Sequence, residues 1–255
     1  MDLRAKRRGA ETVIGDLHQK GSLKALFPKV RGNALDAVFL NTAGGLTGGD
    51  RFDLAIACDA GAHTVVSSQA AERAYRAMPG QVAQVRVSLD VAAGGRVDWL
   101  PQETIIFDQS ALSRRLDVRL SGDATALLVE PVILGRTAMG EIVHQMFLSD
   151  HWRVWRDGHL VFADAVRLNG DAQALMAGKA TGNGAGAMAT VLLAGPQAAQ
   201  AMSKIDLAPE SGASLIADDL LLIRLLAQDG FALRRQLIPV VEALATGPLP
   251  RVWRL

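Results

Sequence analysis

Apolar and polar residues alternate one for one through long stretches of this chain. Val85, Val87 and Leu89 interleave with Arg86, Ser88 and Asp90, and Leu116, Val118 and Leu120 with Arg115, Asp117 and Arg119. A period of two with polar partners predicts strands buried on one face. Turn-forming pairs cut the runs apart: Pro79-Gly80, Gly94-Gly95, Ser121-Gly122-Asp123, Asp157-Gly158 and Asn169-Gly170-Asp171. Short strands at this spacing predict a sandwich, a barrel or a coil of sheets. No segment repeats in sequence, which argues against a strict solenoid.

The pattern changes past Lys179–Gly186, a glycine-rich connection. Met188–Ala194 and Leu220–Leu226 read as strands. Gln197–Lys204 follows Pro196 and reads as a helix. Leu233, Leu237, Val240, Val241 and Leu244 recur at helical spacing, with Pro239 expected to bend that helix. The expected organisation is a β-rich body over 1–180 and a mixed α/β part over 188–255 with about two helices, the two packed as one domain.

Composition narrows the function classes. Apolar residues make up 49% of the chain and charged residues 21%, which is a globular balance. A net charge of +1 offers no bulk attraction to nucleic acid or anionic lipid. The one basic run, Arg4, Lys6, Arg7 and Arg8, reads as a solvated N-terminal tail. The single cysteine, Cys58, has no internal partner and fits a reducing compartment. With no apolar run of membrane length and no secretory signal, a cytoplasmic location is expected.

Two features carry chemistry. The first is Asn41-Thr42-Ala43-Gly44-Gly45-Leu46-Thr47-Gly48-Gly49-Asp50, with four glycines in six residues before a carboxylate and a strand at Phe52, Leu54 and Ile56. Glycine lets other groups approach the main chain closely, so this loop reads as built. The second is a set of acids in phase with apolar residues. Glu130 shares a face with Leu128, Val132 and Leu134. Asp164 shares one with Phe162, Val166 and Leu168, and Glu103 one with Trp99, Ile105 and Phe107. A lone buried carboxylate costs several kcal/mol, of order. It must be protonated, paired with a base such as Arg136 or Arg153, or set beside water and a cation.

The glycine run resembles the urease accessory proteins of the UreD (UreH) type. The resemblance continues through Ser68–Arg76, Trp99–Thr104, Leu134–Glu141, Leu160–Asp164 and Leu249–Leu255, in the family's order. It implies a mainly β fold of stacked, coiled sheets. It also implies a non-catalytic maturation factor that joins a UreF-type accessory protein and, through it, a UreG-type GTPase on urease apoprotein. Nickel(II) would pass transiently along an internal path lined by Asp50, Glu130 and Asp164. Glu72, Glu103 and Glu141 are further candidates, and Gly44, Gly45, Gly48 and Gly49 would shape one opening. An adaptor without metal passage is the alternative.

The residues themselves argue for weak metal contact. Tight nickel sites favour imidazole and thiolate. His18, His63, His144, His151 and His159 show no ligand spacing, although His144 and His151 flank one strand. Enzyme readings find little support. Asp50 follows the glycines where a phosphate loop needs Lys-Ser/Thr. Ser67 and Ser68 lack a nucleophile elbow. Glu130 and Glu141 as a glycosidase pair would want aromatic platforms, yet aromatics are 5% of the chain.

Overall fold

A computed structural model describes residues 1–29, 32–136 and 139–254. Thr137, Ala138 and Leu255, which fall in the resembling blocks, lie outside them. The predicted mainly β, coiled architecture is observed, as two stacked sheets. The first has seven strands, in the order β2 (Glu11–His18), β1 (Asp2–Arg8), β5 (Arg51–Cys58), β8 (Ala83–Val91), β11 (Ala111–Leu120), β13 (Met146–Arg156) and β14 (His159–Gly170). The second runs from β3 (Leu23–Leu26) and β4 (Leu35–Asn41) through β6 (His63–Ser68), β9 (Arg96–Leu100) and β12 (Thr125–Leu134). It continues to β15 (Ala187–Ala194), β17 (Leu220–Ala227) and β16 (Gly212–Ala217). Short β7 (Glu72–Ala74) and β10 (Thr104–Ile106) attach beside β12.

Each circuit of the chain lays one strand on each sheet: β5 then β6, β8 then β9, β11 then β12. The central pairs are therefore parallel, from β5 to β13 in one sheet and from β4 to β12 in the other. This coil needs no repeated sequence, because only the inward parity has to recur. Leu54, Val87, Leu116 and Trp152 stand in one register row across four strands and face the second sheet. Burying such side chains contributes about 1.5–3 kcal/mol each.

The outer face of the second sheet is covered by α2 (Ala198–Met202) and α3 (Gly230–Leu244). Asp229 caps α3 by accepting from the Ala232 N–H. Leu233, Leu237, Val240, Val241 and Leu244 form its buried stripe as the spacing predicts, and the helix runs on through Pro239. The C-terminal turn closes this layer. Trp253 is 1% exposed and donates its indole N–H to the Leu100 carbonyl at 2.9 Å.

One expectation is corrected. The basic N-terminus is no tail. Leu3 and Ala5 are buried, which makes Asp2–Arg8 strand β1, pairing with β2 and β5. The two helices expected past the glycine connection are α2 and α3, and a further short one, α1 (Ala172–Met176), precedes it. Its five residues are too short to show a period, and Asp171, read above as a turn residue, is its N-cap. The segment beyond the glycine connection also builds the body's own sheet: β15 pairs with β12 from Ala126 to Ile133.

Candidate functional site

The inward parity of β11 runs Leu112, Arg114, Leu116, so a guanidinium stands where the pattern calls for an apolar group. Its register neighbour on β13 is Asp150, between Leu148 and Trp152. Across the gap, β12 places Glu130 between Leu128 and Val132. These three groups form a polar band that separates one apolar cluster, with Leu116, Leu128 and Trp152, from another, with Leu112, Val132 and Leu148.

The band is tightly bonded. Arg114 reaches Glu130 Oε2 at 2.6 Å through Nη1 and Asp150 Oδ2 at 2.5 Å through Nη2. Nη1 also donates to Thr104 Oγ1 at 2.9 Å. Trp99 donates its indole N–H to Glu130 Oε1 at 2.8 Å, and its ring stacks on Phe39. The Arg114, Glu130 and Asp150 side chains are 8%, 10% and 11% exposed. One guanidinium thus serves two buried carboxylates. Burial pushes the Glu130 carboxyl above its usual range and Asp150 adds to this, against the pull of Arg114 and Trp99. The two acids hold Arg114 firmly protonated in spite of its own burial.

A cavity of about 130 Å³ lies beside the band. Its wall includes exposed Gly44, Gln69 and Arg73 as well as buried Arg114 and Leu112. That volume has room for several waters, at about 10–15 Å³ of such space each. Two buried donors in its lining residues, Arg114 Nε and Gln102 Nε2, have no protein partner. Left unpaired, each carries a penalty of about 1–3 kcal/mol.

Glu72 lines the same cavity near the glycine loop. Asn41 ties the two together, donating Nδ2–H to the Gly45 carbonyl at 2.8 Å and to Glu72 Oε2 at 3.3 Å. Burial raises the Glu72 carboxyl, the Arg73 and Asn41 N–H groups and the Arg73 charge lower it, and nearby Asp50 raises it again. Asp50 itself accepts from the Thr47 N–H at 2.8 Å and closes the glycine turn. Gly45 and Gly48 are required by close approach: a Cβ would fall 2.2 Å from the Tyr75 ring at Gly45 and 2.6 Å from Gln81 Cβ at Gly48. Gly44 and Gly49 supply positive φ, 80° and 90°.

The other three candidate acids stand apart from this cavity. Asp164 is bound by Arg224 Nη2 at 2.5 Å, and Arg224 also donates to Thr190. Thr190 is the register neighbour of both Glu130 and Arg224, so the polar row continues from the band toward Asp164. Glu103 turns toward α3 and pairs with Arg234 at 2.9 Å. Glu141 pairs with Arg136, which lowers its carboxyl, and braces a surface loop by accepting N–H bonds from Asp108 and Arg136. Of the bases suggested by sequence, Arg136 serves Glu141. Arg153 lies on the opposite parity from Asp150. His144 lies 3.7 Å from Asp171 and His151 bonds Ser149, so the two histidines do not converge. Among the described residues, no three His, Cys, Asp or Glu gather as a ligand set.

Sequence reading missed Arg114, Asp150, Arg224 and Arg234. The signal was present for the first two, which break the apolar parity of their strands as Glu130 does.

The raised Glu130 carboxyl has a pH signature. A folded-state value above the unfolded one gives stability that is fully present below the ordinary carboxylate range and lost as pH rises through the raised value. Glu130→Gln mimics the protonated form. Its melting temperature is expected to exceed that of the wild type by a margin that grows toward neutral pH and vanishes in acid. Parallel curves across that window would mean that Arg114 fully compensates the charge.

The family model described as UreD urease accessory protein matches residues 1–254. A protein of Ruegeria pomeroyi named urease accessory protein UreD is 44% identical over 100% of both chains. Proteins of the same name from Rhizobium rhizogenes and Rhizobium leguminosarum bv. viciae are each 46% identical, over 99% of this chain and 93% of theirs. With similarity of this depth along its whole described length, the chain belongs to the UreD urease accessory protein family.

Proposed function

We propose that this protein is a non-catalytic urease maturation factor. It assembles in the cytoplasm with UreF-type and UreG-type partners on urease apoprotein and passes nickel(II) between its two sheets. Membership of a urease accessory family supports the maturation role. The observation that carries the passage is a cavity whose lining holds both Glu72 and Glu130. Two buried carboxylates against one guanidinium leave a surplus negative charge, or a shared proton, beside space for water. Carboxylate and water hold nickel weakly, which suits transit better than storage.

A pure adaptor is the second reading, and a specific observation favours it. Glu103, Glu130, Glu141 and Asp164 each have an arginine partner, as structural acids do. The shared test is co-expression of urease subunits and the other accessory proteins with and without this chain. Both readings expect urease nickel content and activity to fall at least about tenfold without it. Full nickel loading in its absence would remove the maturation role.

A further inference from the structure

Two carboxylates facing each other across a hydrated gap are the ordinary means of trapping a divalent ion. A trap would stop transit. Here the place between Glu130 and Asp150 is taken by the Arg114 guanidinium, which reaches Glu130 at 2.6 Å and Asp150 at 2.5 Å. An arginine side chain does not lose its proton at any working pH, so this occupant never vacates its charge. We propose that Arg114 is a built-in counter-cation that keeps the Glu130/Asp150 pair from holding a divalent ion more firmly than transit allows.

Three observations support this beyond the acids alone. Arg114 is 7% exposed, and its Nε has no protein partner although the residue lines the cavity. Gln102, 6% exposed, leaves Nε2 unpartnered in the same lining. Both are N–H donors, which repel a cation and cannot ligate it, so with Arg114 in place this lining offers the pair no help in holding a metal ion. Trp99 and Thr104 fix the other ends of the network, holding Glu130 and the guanidinium in place. With Arg114 present the three groups sum to at most one negative charge. Without it they sum to two, matched to a divalent ion. The inference rests on the proposed passage for its biological sense, while its test does not depend on urease.

The test is nickel(II) binding to the purified chain by titration calorimetry at neutral pH. Wild type should bind no tighter than about micromolar, where each tenfold is about 1.4 kcal/mol. Arg114→Gln should gain a single site at least about tenfold tighter, and Arg114→Gln with Glu130→Gln should lose it again. Removing one partner of a buried ion network is destabilising, so Arg114→Gln is also melted with and without nickel. Its melting temperature should rise with added metal while that of the wild type does not. A folded Arg114→Gln that binds like wild type would overturn the proposal. So would tighter binding that survives in the double variant, or an unfolded Arg114→Gln that nickel does not rescue. Failure here with intact nickel delivery in co-expression would leave the passage standing and remove only the role of Arg114.

Discussion

Gly45→Ala is expected to cost about 1–3 kcal/mol of stability and to abolish urease activation, an effect far larger than its one methyl group suggests. The added carbon would sit 2.2 Å from Tyr75 Cε2 and 2.8 Å from the Arg73 carbonyl oxygen. The carbonyl belongs to a rung that cannot yield. Leu46 N–H donates to that oxygen at 2.7 Å, and Tyr75 N–H donates to the Leu46 carbonyl at 2.7 Å. The Tyr75 ring is held edge-on to Phe107, and its hydroxyl donates to the Gly44 carbonyl. Relief therefore means moving the loop away from β7. That motion breaks the bridge through Asn41 and displaces Glu72 from the cavity wall. Gly212→Ala is the matched control: nothing lies within 4 Å of the added carbon and its φ is not positive. Thermal melts and co-expression assays should show loss in the first variant and little change in the second. Equal behaviour of the two would mean that the loop geometry does not govern the site.

The fold was legible because its logic is parity. Val85, Val87 and Leu89 point inward on β8, as their alternation with polar residues requires. The stripe on α3 was legible for the same reason at a period of 3.6. Elements too short to show a period escaped, as α1 did, and so did β1, whose basic residues masked the alternation of Leu3 and Ala5. The candidate site was legible in half. An acid on an apolar face announces itself in one strand, and Glu130 was found that way. Its partners could not be named, because which strands stack is a property of the coil and not of any one segment. Arg114 lies 16 residues away in sequence, and Arg224 lies 60 from Asp164. Glu103 shows the opposite failure: the chain turns through Pro101 and Gln102 between β9 and β10, so its apparent phase with Trp99 does not carry across.

The second large effect concerns the polar row itself. Glu130→Leu removes the charge from the lining of the cavity and leaves Arg114 paired one to one with Asp150. Trp99 N–H loses its acceptor, at about 1–3 kcal/mol. Asp164→Leu is milder for stability, because Arg224 is 39% exposed and can turn to water. Glu130 is buried between the sheets and Asp164 only partly exposed, so assembly with partner proteins is expected to survive both and is checked by co-purification. An adaptor would tolerate them, whereas a conduit for hydrated divalent ions would not. The decisive quantity is nickel per active site in urease recovered from intact assemblies carrying Glu130→Leu or Asp164→Leu. Passage through the gap between the sheets predicts a fall of at least about tenfold. Wild-type nickel content in fully assembled complexes would contradict it.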